Sequence, residues 1–339
     1  MHQGRLRFGV LGAARIVPNA LIRPAQQLAE VAVAAIAARD QARARAFAVT
    51  HGIPCVMGSY DELVGASDID AIYIPLPNSL HCEWTIRALR AGKHVLCEKP
   101  LAANEREAER MAQVAQETGL VLAEALHYRY HPLASRVYQL LHDGTIGRIA
   151  ELACHFSVPS LPTNIRFDWD LAGGVTMDLG CYLLNMIRYF SGYRPRIRKA
   201  AALIGPPNID VAMETILELE GGATARMRCS MAPDVRAEAG FAAKGERGEL
   251  LVTNPVAPHH GHQLTLKTGD MVRRETVKGD TTYTCQLRAF VAAVRGEQPM
   301  ATAGSDGILN MRLIDEVYRA AGLPPRGTVA PHHGSPGEA

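Results

Sequence analysis

The chain has 339 residues and a formal net charge of +2, with 47% hydrophobic and 21% charged residues. This length suits two domains, and this composition is typical of a globular protein. The near-neutral charge gives no electrostatic basis for binding nucleic acid or a membrane surface. Seven scattered cysteines without a C-x-x-C spacing indicate reduced core residues. The N-terminal stretch lacks the apolar segment of a secretory signal, so we expect a cytoplasmic protein.

The first 125 residues alternate between short apolar runs and segments with helical spacing. The apolar runs predict strands in LRFGVLG, VAVAAIAA, DIDAIYIPLP, HVLCEKP and LVLAEAL. Helices are predicted in RIVPNALIRPAQQLA, DQARARAFAVTHG, SLHCEWTIRALRAG and NEREAERMAQVAQETG. Asn104 opens the last helix and Gly119 closes it. Strands that alternate with helices indicate a parallel sheet covered by helices on both faces.

The second half has a different pattern, with longer strands and fewer helices. Strands are predicted in RIAELACHFSV, IRKAAALI, VAMETILELEGGATARMRCSM and GELLVTN, with a turn at Gly221-Gly222. Helices are predicted in GGVTMDLGCYLLNMIRYFSG, TYTCQLRAFVAAVRG and DGILNMRLIDEVYRAAG. This pattern predicts an α+β domain built on an open sheet. We therefore expect domains at residues 1–126 and 127–330, followed by a disordered tail at 331–339.

The turn after the first predicted strand reads GVLGAARIV. A dinucleotide-binding turn has the pattern G-x-G-x-x-G. Gly12 occupies the tight-turn position, whereas Ala14 and Val17 replace the other two glycines. The place of the turn, between a strand and a helix, still predicts a pyrophosphate on four backbone N–H groups. These groups belong to Ala13, Ala14, Arg15 and Ile16. The alternative is an ordinary strand–helix turn.

The end of the second strand, IAARD, bears on the choice between NAD and NADP. An acid at this position binds the ribose 2′-hydroxyl of NAD. Ala38 stands where that acid is expected, and Arg39 with Arg43 could pair with the 2′-phosphate of NADP. We therefore expect NADP to be preferred. Asp40 is either the N-cap of the next helix, which we favour, or an NAD-type acid one residue along.

The fifth predicted strand ends in the stretch HVLCEKPLA. Pro100 cannot donate to a sheet ladder, and it holds Lys99 in an extended conformation. The strand therefore stops at its carboxyl end and directs a lysine outward. Ligands bind at this edge of an open α/β sheet. The alternative is a surface turn with two solvated charges.

These motifs resemble the Gfo/Idh/MocA oxidoreductases. The resemblance rests on the nucleotide turn, PLPNSLHCEW, EKP, AEALHYRYHP and GGVTMDLGCYLLN, and covers about residues 5–325. YRYHP and a tyrosine in the last motif are most similar to aldose (xylose or glucose–fructose) and trans-dihydrodiol dehydrogenases. The resemblance implies a Rossmann domain and an α+β domain with a large, mostly antiparallel open sheet. It also implies hydride transfer between NADP or NAD and a sugar, polyol or cyclic dihydrodiol.

The resemblance marks Lys99, Asp178 and Tyr182 as the catalytic residues. We expect partial desolvation beside the nicotinamide to lower the pKa of Lys99, and this lysine to lower the pKa of the Tyr182 phenol. Asp178 and Tyr182 are spaced i, i+4 on one predicted helix, so both should face the substrate. Lys99 and Tyr182 are then one coupled proton-transfer pair. Asp178 would orient Lys99 or a substrate hydroxyl.

Further contacts are implied around the cofactor and the substrate. Glu98 either bonds the nicotinamide ribose or only pairs with Lys99. The cofactor loop should include Pro77, Asn78 and His81, where His81 could equally be a helix-start residue. The implied substrate contacts are Tyr128, Arg129, Trp169 and Asn185. Packing is the alternative for Arg129 and Trp169, and a solvated helix position is the alternative for Asn185. HHGH, at residues 259–262, lacks a partner cluster, so no metal site is expected.

Two other functions exist within the resembled family. One is an NAD-dependent glycosidase, which would show no net cofactor turnover, and the other is a non-catalytic dinucleotide sensor. The joint presence of Lys99, Asp178 and Tyr182 argues against the sensor. The outer face of an open sheet needs cover, and AMETILELE and TARMRCSM carry alternating apolar residues. We therefore expect a homodimer or homotetramer.

Overall fold

The computed structural model describes residues 4–161 and 164–327, so the tail predicted at 331–339 lies outside the described residues. The first half forms a six-stranded parallel sheet in the order β3-β2-β1-β4-β5-β6. Its strands are β1 Leu6–Leu11, β2 Val31–Ala37, β3 Cys55–Val56, β4 Ala71–Ile74, β5 His94–Cys97 and β6 Leu122–Glu124. The doubly wound parallel sheet expected from the alternating pattern is confirmed.

Helices connect these strands and cover both faces of the sheet. They are α1 Arg23–Gln27, preceded by a π-helical turn at Pro18–Ile22, α2 Gln41–His51, α3 Tyr60–Gly65, α4 His81–Arg90 and α5 Glu105–Thr118. The cap signals read from the sequence are correct. The Asn104 side chain accepts a bond from the Glu107 amide at 3.0 Å, and Gly119 has the left-handed φ of 66° that ends α5. The short β3 and the helix α3 were not predicted.

The second half forms an eight-stranded sheet in the order β14-β13-β12-β11-β7-β10-β9-β8. Its strands are β7 Ile149–Ser157, β8 Arg196–Gly205, β9 Ile209–Glu218, β10 Thr224–Ser230, β11 Glu238–Gly245, β12 Gly248–Thr253, β13 Gln263–Thr268 and β14 Met271–Glu275. Strands β7 and β10 pair in parallel, and the other neighbours are antiparallel. The expected large, mostly antiparallel open sheet is therefore confirmed. Strands β11, β13 and β14 were not predicted.

The remaining helices are α6 Pro132–His142, α7 Cys181–Ser191, α8 Thr282–Val294 and α9 Gly304–Ala320. Of these, α7 and α9 pack on this sheet, α6 packs on α7, and α8 packs on the first half of the chain. A wide π-helical turn, Thr176–Gly180, precedes α7, so the single helix expected over residues 173–192 is two elements. Helix α8 packs against β1, where the rings of Phe8 and Phe290 lie 5.5 Å apart. The two sheets thus share a helical layer.

The inner face of the second sheet is buried under α7. Met213 and Leu217 of β9 and Met227 of β10 are at most 2% exposed. The opposite face carries charged side chains, including an ion pair between Arg228 and Glu214 at 3.1 Å. The alternating apolar residues that predicted a surface for self-association therefore face the core of the same chain. That part of the argument for an oligomer was wrong.

None of the helices in residues 4–161 and 164–327 combines the length and the hydropathy that a membrane span requires. All seven cysteines are unpaired thiols, as their spacing indicated.

Candidate active site

Lys99 lies at the carboxyl end of β5, where the two halves of the chain meet. Its Nζ atom is 2.7 Å from Asp178 Oδ1 and 2.8 Å from the Asp178 carbonyl oxygen. Both side chains are nearly buried, with 14% and 15% of their surfaces exposed. The lysine at the end of β5 and the motif GGVTMDLGCYLLN are thus brought together between the two halves of the chain. The alternative of a solvated surface turn does not hold.

The charge state of Lys99 differs from the expected one. Burial alone would lower the pKa of Lys99, but the Asp178 carboxylate and its hydrogen bond outweigh burial, so this pKa is raised. Burial likewise opposes ionisation of Asp178, yet Lys99 and then Arg166 hold its pKa at about 2. The expectation of a lowered lysine pKa was wrong for this arrangement. Lys99 is an ammonium donor at neutral pH.

Arg166 is a third member of this cluster that the sequence did not single out. Its Nε lies 2.5 Å from Asp178 Oδ2, so one carboxylate binds two cations. Arg166 belongs to a loop before α7, and its own carbonyl oxygen accepts a hydrogen bond from the Gly174 amide at 2.8 Å. The loop of Arg166 and the start of the motif GGVTMDLGCYLLN are therefore joined, and together they position Asp178.

Tyr182 occupies the first turn of α7, after the π-helical turn that contains Asp178. Its ring centroid is 5.2 Å from Lys99 Nζ, while its hydroxyl lies 3.1 Å from Nε2 of His127. Burial raises the pKa of the Tyr182 phenol well above its usual value, contrary to the expected lowering by the lysine. Lys99 and Tyr182 do not bond each other directly. A coupling between them needs a substrate oxygen that contacts both groups.

The carboxylate of Glu98, the neighbour of Lys99, is held by hydrogen bonds from Tyr73 and from the Lys99 backbone. Its Oε1 accepts a bond from the Tyr73 hydroxyl at 2.7 Å, and its Oε2 accepts one from the Lys99 amide at 3.2 Å. Burial raises the pKa of Glu98. Since the ammonium of Lys99 points at Asp178, the alternative that Glu98 serves only as its ion-pair partner does not hold.

The first turn has the geometry that a pyrophosphate needs. Gly12 has a φ of 97°, and a Cβ there would lie 3.1 Å from the Leu76 side chain, so only glycine fits without strain. In the part of the chain that the structure describes, four successive amides have no acceptor. They belong to Ala13, Ala14, Arg15 and Ile16. Arg43 anchors this turn through a 2.7 Å bond to the Ala13 carbonyl oxygen.

The residues at the end of β2 that were proposed to select the cofactor differ in their exposure and in their contacts. Ala38 is buried, whereas Arg39 is exposed beside the hydroxyl of Tyr60. Asp40 accepts a bond from the Arg43 amide at 3.1 Å, so its carboxylate caps α2 as favoured from the sequence. Arg43 is committed to the first turn. The exposed guanidinium of Arg39 can therefore reach a ligand here.

The loop after β4 is held by bonds to both halves of the chain. Pro77 precedes Asn78, whose Nδ2 donates to the Ala172 carbonyl oxygen at 2.9 Å. His81 is fully buried, with ring nitrogens 2.9 Å from the carbonyl oxygens of Pro100 and Leu76. His81 therefore positions two loops around Lys99 rather than contacting a ligand.

Three of the predicted substrate residues form a buried network beyond Tyr182. The Tyr128 hydroxyl donates to Asn185 Oδ1 at 2.6 Å, and Arg129 Nη1 lies 3.3 Å from the same oxygen. Tyr128 and Asn185 are at most 1% exposed, so the solvated position considered for Asn185 is wrong. The guanidinium of Arg129 stacks 3.6 Å from the ring centroid of Tyr189. These contacts favour packing over direct contact with a substrate.

Trp169, the fourth predicted substrate residue, is half-buried. The guanidinium of Arg326 lies 4.2 Å from its ring centroid and covers one face of it. Arg326 is itself buried and pairs with Asp210 at 2.5 Å. The packing alternative therefore accounts for one face of Trp169.

Further residues near this site carried no signal in the sequence. Tyr73 and His127 are buried, and Tyr283 of α8 packs 4.2 Å from the His127 ring centroid. Because a buried tyrosine or histidine follows the same pattern as an apolar core residue, sequence periodicity could not separate them. Nothing in the sequence near Arg166 linked this residue to Asp178.

His259 and His262 of HHGH form hydrogen bonds to neighbouring protein atoms. His262 Nδ1 lies 2.9 Å from the Pro258 carbonyl oxygen, and His259 Nδ1 is 3.4 Å from the Thr282 hydroxyl. Within the described residues, no group of three histidine, cysteine or acidic side chains is placed to hold a metal ion.

Comparison with known proteins agrees with this architecture. The model of the GFO/IDH/MocA oxidoreductase family, NAD-binding Rossmann fold, matches residues 6–126, and the GFO/IDH/MocA C-terminal domain matches residues 134–251. A D-xylose 1-dehydrogenase (NADP(+)) of Haloferax volcanii is 38% identical over 93% of this chain and 97% of its own length. A trans-1,2-dihydrobenzene-1,2-diol dehydrogenase of Bos taurus is 33% identical over 67% of this chain and 68% of its own.

A solved structure extends the comparison. The 3-ketoreductase of Actinomadura kijaniata in complex with NADP and TDP-benzene has a TM-score of 0.86 and 30% identity, and the alignment covers 94% of this chain and 98% of that one.

Proposed function

The chain belongs to the Gfo/Idh/MocA oxidoreductase family, and from this premise we propose how its residues act on a sugar-like substrate. It is an NAD(P)-dependent oxidoreductase that acts on CH–OH groups. The observation that carries the proposal is that the Lys99 ammonium lies 5.2 Å from the ring centroid of Tyr182, at the carboxyl edge of the first sheet. Both groups carry protons at neutral pH, and both are near the position expected for a nicotinamide.

The residues of the first half suit a dinucleotide. The pyrophosphate would bind the free amides after Gly12, at the start of a helical turn. The nicotinamide supplies hydride chemistry when it is bound. Glu98 is placed at the strand end, where a ribose hydroxyl could bond its carboxylate. Pro77 and Asn78 would shape the loop over the cofactor.

We assign different roles to the two protonated groups. Lys99 donates a hydrogen bond to the substrate oxygen and stabilises negative charge on it, since Asp178 keeps this lysine positively charged. Tyr182 is the proton donor in reduction and, by microscopic reversibility, its phenolate is the acceptor in oxidation. Asp178 and Arg166 position the lysine.

The first test replaces each of these groups separately. Lys99→Ala and Tyr182→Phe should lower kcat by about 10²–10⁴-fold, the usual contribution of a positioned acid or base. Binding of NADPH, followed by its fluorescence, should be nearly unchanged in both variants. Wild-type kcat in either variant would refute the role of that residue. Loss of NADPH binding would show that it holds the cofactor instead.

We further propose that the enzyme prefers NADP over NAD because Arg39 pairs with the 2′-phosphate. Arg39 is exposed, and the neighbouring carboxylate of Asp40 is occupied as a helix cap. One charge-assisted bond corresponds to roughly ten- to a hundredfold discrimination. The test compares kcat/KM for both cofactors in wild type, in Arg39→Ala and in the control Arg45→Ala, which lies on the following helix α2. An unchanged ratio in Arg39→Ala would exclude Arg39 as the cause.

The substrate is proposed to be an aldose, a related polyol or a keto sugar. The xylose dehydrogenase and the 3-ketoreductase among the relatives support two variants of this chemistry, oxidation of a free sugar and reduction of a ketone on a nucleotide-linked sugar. A panel of free aldoses, cyclic diols and nucleotide-linked keto sugars, assayed with NADP and NADPH, separates these variants. Turnover without net change in nicotinamide absorbance would indicate the glycosidase alternative.

We also propose a cytoplasmic homo-oligomer with domains at residues 1–126 and 127–330. Seven free thiols suit a reducing compartment. The edge strand β14 exposes Met271 and Val272, with exposed fractions of 72% and 52%, which supports a partner at this edge. Light scattering at micromolar concentration tests the assembly, and a monomeric mass would refute it. Limited proteolysis near residue 126 tests the boundary, although α8 packs back on the first sheet.

A further inference from the structure

A buried histidine lies directly behind the phenol of Tyr182. His127 is 4% exposed, and its Nε2 is 3.1 Å from the Tyr182 hydroxyl oxygen. We propose that His127 donates this hydrogen bond and stabilises the phenolate that forms when Tyr182 gives its proton to the substrate oxygen. This inference rests on the proposed function, because it requires Tyr182 as the proton donor. His127 is then a positioning residue that acts through Tyr182.

The direction of the bond follows from the other ring nitrogen. Nδ1 of His127 is buried and has no partner in residues 4–161 and 164–327. If Tyr182 donated to Nε2, the neutral imidazole would carry its proton on Nδ1 and leave a buried N–H without an acceptor. Such orphaned donors are rare and costly. With the proton on Nε2, only a lone pair remains unpaired, so the Nε2–H form is favoured.

The surroundings keep the imidazole neutral. The groups that face it are Tyr182 on α7, Tyr283 on α8, His259 on the loop before β13, and Lys99 at the end of β5. Burial first, and then His259 and Lys99, lower the pKa of His127 to about 3. No carboxylate is among these groups to favour an imidazolium. His127 therefore does not take up the proton of Tyr182, and acts only through its hydrogen bond.

The proton balance gives this bond its catalytic effect. In reduction, the carbonyl carbon receives a hydride from the reduced nicotinamide while the O–H bond of Tyr182 breaks. The proton moves to the carbonyl oxygen, and the bonding pair stays on the phenolate. His127 keeps its own proton, and its bond to Tyr182 becomes charge-assisted. Charge-assisted bonds are about twice as strong as neutral ones, so this contact is stronger in the transition state than before it.

Two substitutions separate the donor from the packing of the ring. His127→Gln keeps an N–H near the position of Nε2, whereas His127→Leu fills a similar volume without a donor. We expect His127→Leu to lower kcat about ten- to a hundredfold and His127→Gln to recover most of the loss. In a Tyr182→Phe background, the two substitutions should differ by less than about twofold. Equal losses of kcat in His127→Gln and His127→Leu would show that His127 acts only through packing. The same losses of kcat in the Tyr182→Phe background would show this too.

A second readout does not depend on activity. Nitrogen-15 NMR of histidine-labelled protein distinguishes a protonated Nε2 from a protonated Nδ1, and the signal of His127 is the one lost in His127→Gln. A proton on Nε2 supports the inference, and a proton on Nδ1 overturns it. Full turnover in Tyr182→Phe would instead overturn the proposed function, while the tautomer would still stand as measured. The two failures are therefore distinguishable.

Discussion

Replacing Asp178 by asparagine should convert Lys99 from a raised to a lowered pKa. The carboxylate of Asp178 lies 2.7 Å from Lys99 Nζ and is the main attraction that offsets burial of the ammonium. Asparagine has nearly the same shape but no charge. Burial would then dominate, and the lysine would lose its proton at a lower pH.

The size of this change follows from the geometry. An opposite charge within about 4–6 Å shifts a pKa by roughly one to three units, and one unit corresponds to about 1.4 kcal/mol. The bond from Lys99 Nζ to the Asp178 carbonyl oxygen, at 2.8 Å, survives the substitution. We therefore expect the pKa of Lys99 to fall by about one to two units, toward the lower end of that range.

The assay is the pH dependence of kcat/KM, because its alkaline limb reports loss of the essential ammonium in the free enzyme. Asp178→Asn should move this limb to lower pH. Arg166→Gln is the matched control with the opposite sign, since Arg166 lowers the pKa of Lys99. Its effect should be smaller, because 40% of the Arg166 side chain is exposed and its charge is screened. An alkaline limb that stays in place in Asp178→Asn, or that moves in the same direction in both variants, would refute the electrostatic account of Lys99.

Three further predictions concern stability. Burial raises the pKa of Glu124 to about 8, so the stability that its protonated state contributes is fully present below the unfolded pKa of about 4.3 and is lost as the pH rises to 8. Compared with wild type, Glu124→Gln should therefore raise Tm more at pH 9 than at pH 5. An equal change in Tm at both pH values would contradict this. Gly174 has a φ of 126° and faces Asp210, so Gly174→Ala should cost roughly 2–5 kcal/mol in urea unfolding. The control Gly65→Ala lies at the end of helix α3 and faces open space, so it should leave the free energy of unfolding unchanged or raise it by up to about 1 kcal/mol. Arg326→Met removes the cation that pairs with the buried Asp210 and should lower the free energy of unfolding by about 3–5 kcal/mol. Adding Asp210→Asn should recover part of this loss. Equal stability of wild type and Arg326→Met would refute the contribution of the pair.

The parts of the fold that the sequence predicted are those set by local signals. Asn104 and Gly119 bound a helix through contacts within a few residues, and the apolar runs before Gly12 and Lys99 are strands for the same reason. Strand β3 has only two residues, and β14 is exposed along most of its length, so neither has a hydrophobic period to detect. Their place depends on pairing with distant strands.

The region around helix α7 shows how residue spacing can predict the wrong local geometry. The spacing of Asp178 and Tyr182 predicted one face of a regular helix, but a π-helical turn runs through Thr176–Gly180. A wide turn changes the angle between residues four apart, and sequence periodicity does not report it. Asp178 consequently binds Lys99 and Arg166, while the hydroxyl of Tyr182 bonds His127.

The ionisation of Lys99 is a property of the contact between the two halves of the chain. The lysine is placed by β5, yet the carboxylate that keeps it charged is 79 residues away, on the motif that precedes α7. The Coulomb attraction between Lys99 and Asp178 falls with distance, whereas the desolvation of Lys99 depends on how many protein atoms still surround its amine. A separation of Lys99 from Asp178 by a few ångströms would therefore weaken the raised pKa before it restored full hydration. Proton chemistry at this site therefore depends on the contact of Lys99 with Asp178, at the interface that also contains the bond from Asn78 to Ala172.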